Sequence, residues 1–143
     1  MLLLRRGQEA DADLLGQMNQ GLIAAEGSEN TMSEWQLANR MKAMLAGGWQ
    51  AVLAEDESGP IGYCLFSYQK IGLGGRKEIY IRHFFLKQEC RGCGIGKQFF
   101  DRLQQEFFPP DANIAVDALA QNSAACGFWQ SVGLKAFSIQ YRK

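Results

Sequence analysis

A strand pattern, a glycine-rich loop, a helical pattern and a second strand pattern follow one another in the second half of the chain. The first strand pattern is EIYIRHFFL (78–86), rich in β-branched and aromatic residues, and the loop is RGCGIGKQ (91–98). Apolar residues then keep helical spacing up to Pro109-Pro110, and NIAVDALA (113–120) predicts another strand. Because a helix that joins two strands favours a crossover connection, we expect a parallel pair in the sheet.

Shorter strand patterns surround this unit. MLLLRR (1–6) predicts a first strand, and FSIQY (137–141) predicts a closing strand. WQAVLAE (49–55) and PIGYCLFSY (60–68) predict a hairpin, and IGLGGRK (71–77) predicts a further glycine-rich turn. Since short connections favour antiparallel pairing of the middle strands, the expected sheet is mixed and mainly antiparallel.

Apolar residues at helical spacing predict four helices that flank this sheet. Their stripes are Leu14, Leu15, Met18 and Leu22; Leu37, Met41, Met44 and Leu45; Phe99, Phe100, Leu103 and Phe107; and Ala125, Phe128, Trp129 and Val132. The candidate caps are Asp11 or Asp13, Ser33 with Gln36 or Thr31 with Glu34, and Asn122 or Ser123. The element order β-α-α-β-β-β-α-β-α-β predicts a single α/β domain over residues 1–143.

Composition excludes several classes of function. The 143 residues suit one domain, and 15 Lys+Arg balance 15 Asp+Glu. A neutral chain has no general attraction for nucleic acid or an anionic membrane, so neither is expected as a partner. The opening MLLLRR is too short for the apolar part of a signal peptide, and no apolar run approaches the roughly 20 residues of a membrane span. We therefore expect a cytoplasmic protein.

The cysteines do not form a pattern typical of a metal site. Cys90 and Cys93 make a single CxxC, and His83 is the only histidine, whereas a zinc site needs about four ligands. We therefore expect no metal, and ordinary reduced thiols at these two positions and at Cys64 and Cys126.

The loop RGCGIGKQ fits neither of two common phosphate motifs. A P-loop would need glycine at position 91 and serine or threonine at 98, where this chain has arginine and glutamine. The dinucleotide motif would need glycine at position 97, which is lysine. What remains is a loop of small residues that opens a helix, and a helix N-terminus attracts anions. Local spacing alone leaves an anion site and a plain strand-to-helix turn equally open.

Two motifs at a matching separation favour the anion site. RxxGxG at Arg91, Gly94 and Gly96 resembles the pyrophosphate-binding signature of the GNAT family of N-acetyltransferases. The residues that resemble the second signature of this family are Asn122, Ala125, Phe128, Gly133 and Leu134. The element order is also similar to that of the family, so the resemblance spans nearly the whole chain. It implies the GNAT fold and N-acetyl transfer, with acetyl-CoA as co-substrate.

The resemblance also implies which residues contact acetyl-CoA. The backbone of Phe85 and Leu86 would pair with the pantetheine arm, and the Leu86 amide would polarise the thioester carbonyl as a catalytic group. Asn122 would face the arm near the sulfur, and Trp129 belongs to the same cofactor-binding set. The amides that would hold the pyrophosphate are those of Arg91, Gly92, Cys93, Gly94, Ile95, Gly96 and Lys97.

Trp129 stands where the family usually carries a tyrosine whose hydroxyl protonates the leaving thiolate. An indole N–H donates hydrogen bonds but is not a useful acid near pH 7. Helical spacing equally favours core packing for this side chain. The candidate substitutes for the acid are Tyr63, Tyr68, Tyr80 and Cys126. This departure leaves a second class of function open, an acyl-CoA-binding sensor with weak or absent turnover.

Two residues are candidates for the base that takes the proton of an acceptor amine. Asp117 occupies the place where some family members, notably ribosomal-protein N-terminal acetyltransferases, carry a glutamate that relays the proton. His83 is the alternative, because an imidazole usually titrates near neutrality. Without a catalytic role, Asp117 would simply be a solvated residue at the end of a strand, and His83 would be a packed strand residue. We favour Asp117 slightly as the base.

The acceptor site is predicted opposite the cofactor, beside the first two helices. The strand IYIRHFF resembles that of the diamine and polyamine acetyltransferases, which carry acidic residues where this chain has Arg82 and His83. A cation at position 82 would repel a polyamine and would suit the carboxylate of an amino acid. Glu26, with Glu29 and Glu34, would instead steer a cationic acceptor, unless these acids form only a solvated loop.

The expected acceptor is therefore a primary amine of a small molecule or an amino acid, attacked directly in a ternary complex. Glu26, Tyr80 and Arg82 are the candidate acceptor-binding residues. A homodimer is also left open by the resemblance, since the last strand would pair with a neighbouring copy.

Overall fold

The structure is a computed structural model, and it describes residues 1–71 and 76–143. Within these ranges five strands form one open sheet in the order β1-β2-β3-β4-β5. The strands are β1 (Leu3–Arg6), β2 (Gln50–Asp56), β3 (Gly59–Ile71), β4 (Arg76–Leu86) and β5 (Asn113–Val116). The helices are α1 (Ala12–Glu26), α2 (Glu34–Ala46), α3 (Ile95–Glu106) and α4 (Ser123–Ser131), with short 3₁₀ turns at Glu9–Asp11 and Gln88–Cys90.

The sheet is mixed, as the sequence predicts. The strands β1 to β4 pair antiparallel with their neighbours, and β5 pairs parallel with β4. The crossover between the parallel strands is α3, which confirms the predicted β-α-β unit. The predicted α/β fold, with a mainly antiparallel sheet flanked by helices, is confirmed. The predicted glycine-rich turn falls largely on residues 72–75, outside the described residues.

Each face of the sheet carries its own apolar core. On one face α3 and α4 pack over a core whose large members are Phe66, Ile79, Ile81, Phe99, Phe100, Leu103 and Trp129. On the other face the core of α1 and α2 contains Leu15, Met18, Met41, Leu53, Tyr63, Leu65 and Phe85. Successive side chains of a strand point to opposite faces. The functional side chains of β4 are divided between the two faces in the same way.

The helix ends match most of the predicted caps. In the α2 capping box, Gln36 N–H donates to Ser33 Oγ at 3.2 Å and Ser33 N–H donates to Gln36 Oε1 at 2.8 Å. The predicted cap at Asp11 is wrong as a hydrogen bond, because this carboxylate instead accepts two bonds from Arg5, at 2.9 and 3.0 Å. Among the described residues, no helix is long and apolar enough to cross a membrane.

Two strand predictions fail near the C-terminus. The strand β5 ends at Val116 instead of continuing to residue 120, and residues 137–141 do not form a strand. Alternating side chains alone do not make a strand, because the backbone groups also need a partner. Within the part of the chain that the structure describes, residues 137–141 pair with no strand.

Candidate active site

The sheet opens between β4 and β5. Their pairing runs from Glu78 with Asn113 to Ile81 with Val116. Beyond this point residues 82–86 of β4 keep β3 as a neighbour on one side and have no described strand on the other. The unpaired side of β4 therefore leads directly towards the glycine loop that follows it.

The glycines of the loop have two different roles. Gly92 and Gly94 have φ values of 78° and 86°, in the left-handed region that favours glycine. A Cβ atom at either position would meet nothing within 4 Å, so both face open space. A Cβ at Gly96 would lie 3.0 Å from the Phe128 ring and 3.4 Å from the Leu86 side chain. Gly96 thus allows α3 to pack closely on α4 and on the end of β4.

The N-terminus of α3 offers unpaired donors to the space in front of the loop. The helix starts at Ile95, and its N-cap residue, Gly94, has no side chain to cap it. The first helical bond runs from Gln98 N–H to Gly94 O at 3.1 Å, so the amides before Gln98 have no partner within the helix. The first turn contains no acid, and Lys97 adds a positive charge. This arrangement can hold an anion.

Arg91 fastens the loop to the end of β4. Its Nε donates to the Leu86 carbonyl at 2.8 Å, and its guanidinium lies 5.5 Å from the centre of the Phe85 ring. The Arg91 amide donates to the Gln88 carbonyl at 3.2 Å. The arginine of the RxxGxG pattern therefore positions the loop through its side chain. Its backbone amide is already hydrogen-bonded to Gln88.

Asp117 follows β5 directly and is held by a tyrosine of β4. Tyr80 Oη donates to Asp117 Oδ2 at 2.6 Å. Burial, this hydrogen bond and the charge of Asp117 raise the pKa of Tyr80 to about 12, although Arg82 opposes the shift. Tyr80 therefore stays protonated at neutral pH and orients an exposed carboxylate beside the open end of the sheet.

His83 lies on the same face of the sheet but in a different environment. Its Nδ1 is 3.1 Å from the Tyr63 hydroxyl, and the two rings meet at 90°. Burial, followed by the charges of Arg40 and Arg82, lowers the pKa of His83 to about 3. The imidazole is therefore neutral at pH 7 and a weak base. Tyr63 is fully buried, and desolvation raises its pKa well above the ordinary value.

Two residues of this face were missed by the sequence reasoning. Arg40 of α2 is half-buried, and Trp49 precedes β2 with its ring 5.2 Å from the Arg82 guanidinium. The Trp49 ring also meets Tyr80, with 6.3 Å between the ring centres. Arg40 borders the apolar stripe of α2, three residues after Leu37, which is the signal that could have indicated a partly buried cation.

Trp129 lies in the core, as the helical spacing of α4 predicts. It is 8% exposed and contacts the rings of Phe84, Phe100 and Phe128, at centre distances of 5.2, 5.5 and 5.0 Å. Its contact with a cofactor stays a prediction. Asn122 caps α4, since its Oδ1 accepts the Ala125 N–H at 3.1 Å.

The remaining candidates lie apart from one another. Glu26 is the last residue of α1, and desolvation raises the pKa of its carboxyl. Tyr68 is exposed on β3, and Cys126 Sγ lies 3.6 Å from the Leu119 carbonyl. No group of three metal-ligating side chains occurs among the described residues, and the four cysteines are free.

Solved structures of the same fold come from several organisms. A protein described as a possible acetyltransferase from Clostridium difficile 630 has a TM-score of 0.82 and 15% identity, with 100% of this chain and 96% of that chain covered. A predicted acetyltransferase from Clostridium acetobutylicum, solved with acetyl-CoA, has a TM-score of 0.78 and 18% identity, with the same coverage. An aminoglycoside acetyltransferase from an uncultured soil metagenomic sample, solved with sisomicin, has a TM-score of 0.78 and 16% identity, covering 99% and 95%.

The sequence itself identifies the family. No curated protein matches the chain. A family model described as an acetyltransferase (GNAT) domain matches residues 18–143. This range includes the glycine loop, Asp117 and the whole of the sheet after β1. The chain therefore belongs to the GNAT family of acetyltransferases and is an enzyme of that family.

Proposed function

We propose that this enzyme transfers the acetyl group of acetyl-CoA to a primary amine of a small molecule or amino acid, by direct attack within a ternary complex. The observation that carries the proposal is the uncapped N-terminus of α3, behind two left-handed glycines that face open space. Backbone amides at such an end suit a pyrophosphate. The structurally similar protein from Clostridium acetobutylicum was solved with acetyl-CoA, which supports this choice of ligand.

The residues present fit the two ends of coenzyme A. The amides from Gly92 to Lys97 would hold the pyrophosphate, and Arg91 would keep the loop in place through its bond to Leu86. The pantetheine arm would lie along residues 82–86, where β4 has no described strand on its outer side. The Leu86 carbonyl is already occupied, so the contribution of this residue to the thioester is its amide. Phe85 and Asn122 complete the proposed contacts.

When bound, acetyl-CoA supplies an activated acetyl group, whose C–S bond breaks as the new C–N bond forms. The Leu86 amide would polarise the carbonyl oxygen as negative charge develops on it. The electron pair of the broken bond leaves with sulfur, and a CoA thiol is a fair leaving group. No hydroxyl stands at position 129 to protonate it. We assign this proton to solvent, because Tyr63 is fully buried and the Tyr80 hydroxyl already donates to Asp117.

An acceptor ammonium must lose a proton before its nitrogen can attack. Asp117 is the proposed base, because its carboxylate is exposed and is oriented by Tyr80 at the open end of the sheet. His83 is less suited to this role, since it is bonded to Tyr63 and flanked by two cations that oppose its protonation. Tyr80 and Arg82 would line the acceptor side, together with Glu26 at the end of α1.

The proposed acceptor is a primary amine that is not a polyamine. Sisomicin, the ligand of one structural neighbour, is bound by an aminoglycoside acetyltransferase of 16% identity, which favours an amine acceptor in general. The family match does not distinguish the diamine and polyamine acetyltransferases from other members. Arg82 in the strand that resembles theirs counts against a polycation.

The first experiment is a calorimetric titration of the protein with acetyl-CoA, with ATP and NAD as control ligands. Saturable binding of acetyl-CoA alone supports the proposal, and absence of binding contradicts it. Release of free CoA is then measured with a panel of primary amines. Binding of acetyl-CoA without release of CoA for any amine would favour the sensor function over transfer.

A further inference from the structure

The acceptor face is the side of the sheet that carries Tyr80 and His83 and is covered by α2. Two of its cations, Arg40 and Arg82, form no ion pair among the described residues. The Nε atom of Arg40 is buried and has no hydrogen-bond partner. The ion pairs among residues 1–71 and 76–143 involve the N-terminus, Arg5 and Arg102, and include neither Arg40 nor Arg82. A buried guanidinium N–H without an acceptor is unfavourable, so this donor indicates a missing partner.

The two guanidinium groups act on the same region. Burial first, and then the charges of Arg40 and Arg82, lower the pKa of His83. Burial also lowers the pKa of Arg40, and the charge of Arg82 adds to that shift. Arg82 lies on the Trp49 ring, which in turn meets Tyr80, the hydrogen-bond donor to Asp117. The face therefore carries two cations, on α2 and β4, and a carboxylate that follows β5 where its pairing with β4 ends.

We propose that Arg40 and Arg82 form a subsite for an acid group of the acceptor. The acceptor would then be an amino acid, or another primary amine with a carboxylate or phosphonate a few bonds from its nitrogen. This inference rests on the proposed acetyl transfer. Guanidinium groups bind carboxylates and phosphates through paired hydrogen bonds. The acid group would give Arg40 Nε its acceptor, while the ammonium group of the same molecule would lie near Asp117.

The test uses pairs of ligands that differ only in the acid group. Lysine is compared with cadaverine, phenylalanine with phenethylamine, and 2-aminoethylphosphonate with ethylamine. Each is titrated into the protein by calorimetry, with and without saturating CoA, and each is assayed for release of CoA from acetyl-CoA. The variants are Arg40→Gln, Arg82→Gln and Lys42→Gln. Lys42 is the matched control, because it is an exposed cation of α2, two residues from Arg40 and on a different side of the helix.

The expected result is that at least one acid-bearing ligand binds roughly tenfold or more tightly than its partner without the acid group. Arg40→Gln and Arg82→Gln would remove this preference, with the partner amines unaffected, and Lys42→Gln would keep it. The carboxylate and phosphonate arms show which acid group is preferred. Equal or tighter binding of the plain amines overturns the inference, as does a preference that survives in both arginine variants or the absence of binding by every acid-bearing ligand.

These outcomes are separable from failure of the proposed function. If acetyl-CoA does not bind, the acetyl-transfer proposal falls, but the ligand titrations without CoA still measure the acid subsite. If acetyl-CoA binds and plain amines are acetylated best, acetyl transfer stands and the acid subsite is rejected.

Discussion

The glycine loop and the acceptor face are built from different parts of the chain. The proposed anion site of the loop consists of backbone amides within one segment, RGCGIGKQ, that ends in α3. The acceptor face consists of side chains from separate elements, namely Arg40, Trp49, Tyr63, Tyr80, Arg82, His83 and Asp117. A site of the first kind depends on φ angles and spacing, and a site of the second kind depends on packing and register.

This difference predicts opposite responses to substitution. Side chains of the loop other than that of Arg91 are expected to be replaceable as long as its glycines remain, because the donors are amides. On the acceptor face, an isosteric change of the side chain that acts as the base is expected to have a large effect on turnover even though the backbone is untouched. Substitutions at Asp117 and Gly94 separate these two expectations.

The largest effect is expected for Asp117→Asn, which keeps the shape of the side chain and removes the base. Turnover should fall by about 10²–10⁴-fold, the range typical of a lost general base, and binding of acetyl-CoA should be unchanged. Steady-state release of CoA, at an amine concentration that saturates the wild-type enzyme, measures this loss.

His83→Asn is the matched control for that change, since it alters a polar residue on the same face. It should lower turnover by no more than a few-fold, because the neutral ring of His83 is held by Tyr63. A silent Asp117→Asn together with a large loss in His83→Asn would reverse the assignment of the base.

A smaller but selective effect is expected for Gly94→Ala, compared with Gly27→Ala. Both glycines have a positive φ, 86° and 66°, and a Cβ at either would meet nothing within 4 Å. The two variants should therefore lose similar stability, about 1–2 kcal/mol, from the left-handed conformation alone. Only Gly94→Ala should weaken the binding of acetyl-CoA, by roughly tenfold or more, because Gly94 is the N-cap of the helix whose amides are proposed to hold the pyrophosphate.

Calorimetry and thermal unfolding of both variants check this pair. Equal affinity for acetyl-CoA in the two variants would mean that the space in front of Gly94 is not the binding site. The loop would then be a plain turn, and the contrast between a backbone site and a side-chain site would disappear.

The same contrast explains what the sequence could predict. The Ser33–Gln36 capping box, the α3 crossover and the left-handed glycines are local, since each depends on residues close together in the chain. Arg40 could not be assigned to the acceptor face in this way, because its proximity to His83 and Arg82 arises from the packing of α2 on the sheet. Its missing hydrogen-bond partner is a tertiary property as well.

The structures of residues 137–141 and of Trp129 also depend on tertiary contacts that the local sequence does not determine. The pattern FSIQY correctly shows alternation, but whether a strand forms depends on a partner that local sequence does not specify. For Trp129, helical spacing favoured the core and the family motif favoured the cofactor. The aromatic contacts with Phe84, Phe100 and Phe128 depend on how α4 lies on the sheet.

Trp129→Tyr tests whether position 129 belongs to the core or to the cofactor site. The smaller ring leaves unfilled volume and adds a hydroxyl in an apolar cluster, so unfolding free energy should fall by about 2 kcal/mol. Turnover should stay within a few-fold of wild type, because the hydroxyl would lie in the core. Urea unfolding and CoA release measure the two effects, and a tenfold gain in turnover would show instead that position 129 reaches the leaving sulfur.

The smallest expected effect concerns the free energy of unfolding of the chain at acid pH. The pKa of His83 falls from 6.5 to about 3 in the folded chain, so between these values the unfolded chain binds the proton and the folded chain does not. Protonation therefore favours unfolding, and stability should decrease as the pH falls below 6.5. By pH 5 this amounts to at most about 2 kcal/mol, at 1.36 kcal/mol for each unit.

His83→Gln isolates this contribution, because it removes the titrating group and keeps a polar side chain near Tyr63. Urea unfolding at pH 7 and pH 5 should show a smaller acid-induced loss in the variant than in the wild type. Carboxylates such as Asp11, whose pKa is lowered by Arg5, titrate alike in both proteins and cancel in the difference. An equal loss in both proteins would mean that His83 accepts its proton in the folded state. Arg40 and Arg82 would then not be the uncompensated cations on which the acid subsite depends.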